Sequence, residues 1–441
     1  MRFLCRGVPS IPAPLLIRDY RAFWVARFFA TVAGLMLVVV IGWQVYDIAR
    51  ETMGRDEAAF LLGMIGLAQF LPLFFLALVV GVIADRIDRR YIARAAVALE
   101  ILCAAVLGWL ALQNDGTGAV PMAALFVVAA LLGVARAFQG PSMSALAPNL
   151  VPRHLLPQAI ALNSISWQAG AVIGPPLGAF LYAGSPAAPY LVAAVLFTLT
   201  LVCLMIIRPV ARPAPSALTP WRSLVEGIAY VRGNRVLLGA ISLDLFAVLL
   251  GGATAMLPVY ARDVLHVGVE GLGPLRAAPS AGAVVMAILL ASRPLKRHVG
   301  LVMFASVAVF GVATAVFGIS TSYPLSIAAL VVLGAADAIS VFVRGSLIQL
   351  HTPDDMRGRV SSVSGLFISA SNELGELESG LAARYIGAVP AVVAGGIGAV
   401  IVTALWAWRF PQLRRADRFD EQKPASTPPK ISAVGVDARR A

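Results

Sequence analysis

The chain has 441 residues, of which 59% are hydrophobic and only 13% are charged. Soluble domains carry about 25% charged residues, so most of this chain contacts neither water nor a polar surface. The net charge of +12 could fit a nucleic-acid-binding protein, but the Lys and Arg residues lie in short runs between apolar segments. We therefore expect an all-α polytopic membrane protein whose partner is the lipid bilayer and not a nucleic acid.

Twelve apolar segments are long enough to cross a bilayer as helices, which takes about 20 residues each. In chain order they lie near 22–46, 58–83, 91–112, 120–141, 158–183, 189–207, 236–260, 272–292, 299–319, 324–347, 361–383 and 388–408. Two longer polar stretches are present: a linker between the sixth and seventh apolar segments, and a tail after the twelfth. The predicted organisation is an N-terminal segment, a six-helix bundle, the linker, a second six-helix bundle and the tail, at 1–21, 22–207, 208–235, 236–408 and 409–441.

The two polar stretches predict different structures. The linker begins with prolines and continues with Trp221, Leu224, Val225 and Ile228 at helical spacing. This spacing indicates a short amphipathic helix on the membrane surface. The tail mixes prolines with charged residues and predicts disorder.

Basic residues are distributed unequally between the two sides of the predicted membrane domain. Of the 35 Lys and Arg residues, 27 lie on the side that holds both termini and 4 on the opposite side. Since cytoplasmic loops carry the excess of positive charge, we expect a multi-pass protein of the plasma membrane, a bacterial inner membrane, with both termini in the cytoplasm. Pro9, Pro12 and Pro14 interrupt the first apolar residues, so we expect no cleaved signal peptide.

Sequence motifs for catalysis, metal binding or nucleotide binding are absent. The three cysteines lie far apart without CxxC spacing, and the four histidines are isolated in predicted loops. No Gly-rich phosphate loop ending in Lys-Ser or Lys-Thr occurs, which argues against ATP-driven transport, and neither HExxH nor GxSxG occurs. We therefore expect no metal, no cofactor and no enzymatic activity.

The sequence GVIADRIDRR at 81–90 joins the second and third segments. It resembles the signature loop of the major facilitator superfamily, which acts as a latch that stabilises one state of the transport cycle. The resemblance assigns latch roles to Gly81, Asp85, Arg86, Arg89 and Arg90. An ordinary basic loop on the inside is the alternative. Asp88 stands where the family often has glycine, and the matching loop of the second half, 292–300, lacks the Asp.

Arg136 lies inside the fourth segment, in GVARAFQGPS, which resembles the buried arginine motif of the same superfamily. An arginine within a membrane helix is costly, so we expect it to face the interior and to have an acidic or carbonyl partner. The resemblance implies that it tunes a carboxylate in proton coupling. The alternative is that the side chain extends to the cytoplasmic surface.

The fifth segment contains GAVIGPPLGAF, in which glycines recur every four residues on one helix face. Small residues at this spacing allow helices to approach closely. The pattern also resembles the glycine-proline motif of the antiporter branch of the superfamily and so favours export, although helix packing alone would give the same spacing. The residues concerned are Gly170, Gly174, Pro175 and Gly178.

Three carboxylates occur within six residues of the eleventh segment, in SASNELGELESG at 369–380. Glu373 and Glu376 share a helix face, whereas Glu378 is turned away from Glu373 by about 140° at about 100° per residue. Burial and mutual repulsion favour protonation of a carboxylate near neutral pH. Glu373 and Glu376 are therefore predicted to couple protons or to bind substrate. The alternative is a structural network with neighbours such as Asn372.

Two further acids lie deep in membrane segments, Asp244 in the seventh and Asp337 in the tenth. The family resemblance places both segments at the central cavity, which makes both residues candidates for binding a proton or a cationic substrate. Arg344 lies two helical turns beyond Asp337, so we expect each to have another partner. Glu100, in the peripheral third segment, is either functional or a packing residue.

The stretch 369–380 also resembles the branch of the superfamily that contains the enterobactin exporter and the macrolide and multidrug efflux proteins. LIRDYRAFWVARF at 16–28 and GLGPLRAAPSAGA at 271–283 resemble the same branch, so the resemblance covers nearly the whole chain to about residue 410. It implies a major facilitator fold, with twelve transmembrane helices in two six-helix bundles around a central cavity.

These features together predict a proton-coupled exporter of drug-like molecules or siderophores that works by alternating access as a monomer. The proton gradient would be its energy source. One alternative is an importer of sugars or organic anions on the same fold. The other is a membrane-embedded enzyme or lipid handler, which would need a converging set of catalytic groups.

Overall fold

The computed structural model describes residues 12–113, 120–208, 220–293, 295 and 297–417. The described side chains do not include those of residues 77–86, 153, 220, 221, 223, 354 and 355. The proline-rich start of the linker and most of the tail, with its predicted disorder, lie outside the described residues.

Twelve long helices, numbered α1 to α12, account for most of the described chain. They are α1 (Arg18–Thr52), α2 (Arg55–Arg86), α3 (Arg89–Gln113), α4 (Met122–Leu146), α5 (Leu156–Gly184), α6 (Ala188–Ile206), α7 (Arg235–Val264), α8 (Gly268–Ser292), α9 (Val299–Ile319), α10 (Tyr323–His351), α11 (Asp354–Ile386) and α12 (Ala388–Arg409). Each predicted membrane segment coincides with one of these helices.

Ten of these helices are long and apolar enough to cross a membrane over their described residues. The other two, α5 and α11, have 29 and 33 residues, so length alone would let them span the bilayer. They are more polar because α5 contains Asn, Gln and Ser residues and α11 contains the three carboxylates of the 369–380 stretch. Polar side chains inside a span have to face the protein interior, which points to these two helices as part of its inner lining.

The helices form two bundles of six with matching internal packing. In the first bundle, α1 packs against α5 and α6, and α3 packs against α4 and α6. In the second, α7 packs against α11 and α12, and α9 packs against α10 and α12. The bundles meet through two helix pairs, α2 with α11 and α5 with α8. These pairs occupy equivalent positions in the two halves, as expected for a transporter built from repeats.

On one side of the molecule the helix backbones of the two bundles come into close contact. We call the side on which α1 begins and α12 ends the terminal side, and the opposite side the far side. Towards the far side, Gly63 of α2 lies against Gly380 of α11, and Gly273 of α8 lies against Pro176 of α5. A Cβ atom added at Gly380 would lie 2.8 Å from the Gly63 Cα, and one at Gly273 would lie 2.7 Å from the Pro176 Cα. The absence of side chains at these positions lets the helix backbones close the far side.

Helix α5 uses its small residues on two different neighbours. A Cβ atom at Gly174 would lie 2.8 Å from the carbonyl oxygen of Val32 in α1, and one at Gly178 would lie 2.6 Å from Met36. The adjacent Pro175 and Pro176 face α8 of the other bundle. The glycine motif of the fifth segment is therefore a packing face on α1, with Gly170 against Thr31 one turn away.

Helix α7 is interrupted at Gly251 and Gly252, after its regular part Arg235–Leu250. It continues through a short 3-10 turn and a π-helical turn to Val264. Gly252 lies against the backbone of Gly375 and the side chain of Ser379 in α11, where no Cβ atom fits. The break thus lies where α7 and α11 come into close contact.

The linker forms a helix at Pro220–Gly233 that lies on the terminal side against α11. The Glu226 carboxylate accepts a hydrogen bond of 2.6 Å from Arg359 of α11 and another of 3.1 Å from Arg222. The Tyr230 hydroxyl donates to the carbonyl oxygen of His351 at the end of α10. These contacts attach the linker helix to the second bundle.

Candidate functional site

A group of ion pairs closes the far side between α1 and α7. The Arg50 Nε of α1 donates to an Asp263 oxygen of α7 at 3.0 Å, and the Tyr46 hydroxyl also donates to Asp263. In the reciprocal direction, Arg262 of α7 pairs with Asp47 of α1. We call these five residues the far-side seal. Each bundle contributes one cation and one carboxylate, so the pairs attract the two bundles towards each other.

This seal was not predicted from the sequence. Arg50 and Arg262 are among the four basic residues counted on the side opposite the termini, and neither Asp47 nor Asp263 was a predicted site residue. A usable signal was present, because both helices carry an acid and a base within their last turns before the far-side loop.

One helical turn below the seal, a central cavity of about 40 Å³ lies between the bundles. Helices α1, α2, α7, α8 and α11 all contribute to its wall. Its polar side chains are Gln69 of α2, Arg276 of α8 and Glu376 of α11, and the rest of the wall is mostly aliphatic. The cavity therefore concentrates opposite charges at the interface between the halves.

Glu376 connects three helices at this interface. Its carboxylate lies 3.7 Å from the Arg276 guanidinium of α8, which also donates to the Thr254 carbonyl oxygen at 2.6 Å. A Cβ atom at Gly66 of α2 would lie 2.8 Å from the Glu376 Oε2. The carboxylate thus extends from α11 of the second bundle onto a glycine of the first.

Glu373 lies one turn before Glu376 and is half-buried. Its charged neighbours are Glu376, Arg136 and Arg276. Among the described residues it has no hydrogen-bond or ion-pair partner. The two acids predicted from the eleventh segment are therefore together, and the structure adds one arginine from each bundle.

A second cavity, of about 190 Å³, lies inside the first bundle. The Arg136 guanidinium lines it and donates to the Gln69 side-chain oxygen at 3.0 Å. Glu100 is buried in its wall and accepts a hydrogen bond of 2.6 Å from Gln139. Gln69 borders both cavities, so a row of polar groups runs from Glu100 to Glu376. Arg136 thus faces the interior, with an amide oxygen as its partner.

Asp244 and Asp337 are not in the central cavity, contrary to the expectation for their helices. Asp244 forms an ion pair with Arg344, and both side chains are almost fully buried within the second bundle. Asp337 lines the same small pocket as Asp244, between α7, α9 and α10. Helix α7 contributes to the wall of the central cavity as expected, but no residue of α10 is among the described lining residues. One sequence does not show which neighbour the acid-bearing face of each helix meets.

Residues 23–376 match the family model described as Major Facilitator Superfamily. The chain belongs to the major facilitator superfamily. It is accordingly a multi-pass membrane transporter and not an enzyme, and its helices have the all-α fold of this superfamily.

Curated relatives of this superfamily member include enterobactin exporters. The protein named enterobactin exporter EntS of Citrobacter koseri is 27% identical over 402 residues, which cover 90% of this chain and 92% of that protein. The EntS protein of Escherichia coli O6:K15:H31 is 26% identical over 422 residues, covering 94% and 95% of the two chains.

The superfamily fold is also evident in a solved structure of low sequence identity. A bacterial homologue of the human lysosomal transporter Spinster, in an inward-facing and unoccupied conformation, superposes with a TM-score of 0.69 at 14% identity. The match covers 92% of this chain and 99% of that one. This likeness shows the fold alone.

The signature loop of the superfamily is only partly described. Gly81, Asp85 and Arg86 belong to the stretch 77–86, so the predicted contacts of the latch lie outside the described side chains. Beyond that stretch, Arg89 donates to the Ala145 carbonyl oxygen at the end of α4. Arg90 pairs with Asp88 at 2.7 Å and donates to the Ile207 carbonyl oxygen beside α6. The two arginines therefore tie the loop to neighbouring helix ends.

Proposed function

We propose that the protein is a proton-coupled exporter that works by alternating access in a bacterial inner membrane, with both termini in the cytoplasm. The observation that supports this most strongly is the charged central cavity between the bundles, with Arg276, Glu373 and Glu376 in or beside it and the far-side seal one helical turn away. The cargo we propose is a siderophore or a drug-like amphiphile. The curated relatives named as enterobactin exporters favour export and the siderophore class.

In this proposal, the terminal side faces the cytoplasm because it carries most of the basic residues. The far-side seal then lies on the periplasmic side, and the described state receives its cargo from the cytoplasm. Export requires that the seal between α1 and α7 opens while the terminal side closes. One chain contains both bundles and the whole cavity, so a monomer is sufficient.

We assign the proton-coupling and cargo-binding roles to the groups around the central cavity, which has to widen from its present volume of about 40 Å³ to hold an organic cargo. A carboxylate beside an arginine can release that arginine when it takes up a proton, because the ion pair loses its negative partner. Protonation of Glu376 would therefore remove the anionic partner of Arg276, whose guanidinium lies 3.7 Å away in the same cavity wall. Such a change alters both the charge of the cavity and the contact between α8 and α11, as coupling requires.

Flux measurements in proteoliposomes with an imposed pH gradient test the proposal. Purified protein is reconstituted, and the uptake of enterobactin and of the dye ethidium is followed into vesicles whose lumen is acidic. We expect the lumen-acidic gradient to accelerate uptake by molecules whose terminal side faces outward, and a protonophore to abolish the acceleration. Protein-free vesicles are the control.

Two results would contradict separate parts of the proposal. Equal uptake with and without the gradient would exclude proton coupling while leaving transport intact. Failure of both compounds to cross, in protein that remains folded by size-exclusion chromatography, would exclude the proposed cargo classes.

A further inference from the structure

The second bundle encloses a small polar pocket that is separate from the central cavity. Helix α7 contributes Asp244, α10 contributes Asp337 and Ser340, and α9 contributes Val307 and Phe310. The pocket holds about 10 Å³, at the lower limit of the space that one water molecule needs. It is therefore too small for an organic cargo or a hydrated cation.

The charges around this pocket do not balance. Arg344 is the cation that pairs with Asp244, and these side chains are 4% and 6% exposed. Asp337 faces the pocket without a hydrogen-bond or ion-pair partner among the described residues. Two carboxylates thus share one cation, which leaves one negative charge uncompensated if Asp337 is ionised. A bare charge inside the bilayer is strongly unfavourable.

Within the described ranges, the other helices that pack against α10 supply no second cation to Asp337. Helix α9 has no titratable residue between Val299 and Ile319. On α8, Arg276 is engaged with Thr254 and Glu376. On α11, Arg359 is engaged with the linker helix. Asp244 and Arg344 are therefore the charged groups that face this part of α10.

Ser340 gives an independent indication that the pocket holds a small ligand. The residue is 2% exposed, and its hydroxyl has no hydrogen-bond partner in the part of the chain that the structure describes. An unsatisfied buried hydroxyl is unfavourable. Ser340 lies three residues after Asp337, so the two side chains are neighbours on the same face of α10. A proton shared between them would satisfy both groups.

We propose that this pocket is a proton-binding site in which Asp337 takes up one proton and donates it in a hydrogen bond to the Ser340 hydroxyl oxygen. The carboxylate of Asp337 becomes a carboxylic acid, the proton comes from water, and the pair between Arg344 and Asp244 stays intact. The cluster is then electrically neutral. Binding of the proton stands independently, whereas the use of that proton to drive transport rests on the proposed function.

Helix α7 links the pocket to the far-side seal. Asp244 belongs to α7, and the same helix carries Arg262 and Asp263 of the far-side seal. The break at Gly251 and Gly252 lies between them. Proton binding here would act on the seal through α7, without competing directly with cargo in the central cavity.

Infrared difference spectroscopy of the purified full-length protein in lipid tests the site. A protonated carboxylic acid has a carbonyl-stretch band that a carboxylate lacks. At neutral pH in choline chloride, we expect Asp337→Asn to lose the intensity of one such band relative to the wild type. Ser340→Ala should keep that intensity but shift the band to higher frequency, because the acid loses its hydrogen-bond acceptor. Glu226→Gln, at a surface ion pair, should leave the band unchanged.

Three outcomes would overturn the proposal. The first is an unchanged band in Asp337→Asn. The second is an unshifted band in Ser340→Ala, which would show that Ser340 does not accept the hydrogen bond. This second result can be read even if Asp337→Asn folds poorly. The third is loss of the wild-type band when sodium replaces choline, which would make the ligand a sodium ion. A normal band pattern together with gradient-independent flux would instead refute only the proton-driven part of the proposed function.

Discussion

Glu376 belongs to α11, but its carboxylate lies against Gly66 of α2 and beside Arg276 of α8. Its side chain is 27% exposed and that of Arg276 is 23% exposed, so water in the cavity weakens the attraction between them. A partly solvated pair contributes about 1 kcal/mol or less to stability. The position of Glu376 between the bundles therefore indicates a role in the transport cycle more than in holding the fold.

We expect Glu376→Gln to abolish most gradient-driven flux while changing the free energy of unfolding by only about 1 kcal/mol. The amide keeps the size of the side chain but neither binds a proton nor neutralises Arg276. Flux with and without a pH gradient, together with thermal unfolding, measures the two effects. Glu378→Gln is the matched control, because this acid lies on another face of α11. Equal loss of flux in both variants would exclude a specific role of Glu376.

The charged residues inside the membrane helices could be predicted from the sequence, but their interaction partners could not. Glu373, Glu376 and Arg136 stood out because carboxylates and arginines are rare in membrane helices. Their neighbours Gln69 and Arg276 come from other helices, and one sequence contains no signal for which helix faces meet. The assignment of Asp337 to the central cavity was wrong for the same reason.

Among the elements, α5 shows most directly how helix packing depends on glycine. Its glycine face contacts α1 within the first bundle, whereas its proline face contacts α8 across the interface. One helix therefore packs within its own bundle and also forms part of the interface with the other bundle. The four-residue spacing of the glycines predicted close packing, but the neighbour could be identified only from the structure.

Gly174→Ala should destabilise the protein, although alanine is the better helix former by about 1 kcal/mol. The new methyl group would lie 2.8 Å from the Val32 carbonyl oxygen, which is backbone and cannot move alone, and overpacking costs about 1–3 kcal/mol. Gly184→Ala, in the last turn of the same helix with nothing within 4 Å, is the control. We expect a lower melting temperature for Gly174→Ala only, and equal melting of the two variants would disprove the packing role.

For the whole molecule, the twelve helices and their division into two bundles could be predicted from hydropathy and the positive-inside pattern. The conformation of the molecule, with its far side closed, could not be predicted, because it depends on weak contacts between the bundles. Opposite charges on α1 and α7, together with the glycine contacts between α2 and α11, hold the far side closed. Each contact is small, which is consistent with a molecule that has to exchange between two states of similar free energy.

Asp263→Asn should open the far side more often, because it removes the charge that binds Arg50 and Tyr46. A half-buried pair contributes about 0.2–1 kcal/mol, so we expect about a 1.4- to fivefold higher population of the open state. Gly42→Cys places a reporter thiol in the central cavity wall, where a Cβ atom meets nothing within 4 Å. Its labelling by a membrane-impermeant maleimide from the far side measures this population. The exchange of Arg50→Asp with Asp263→Arg restores the pair and should return labelling towards the parent level. If labelling rises equally in Asp263→Asn and in the exchanged variant, attraction between α1 and α7 does not close the far side.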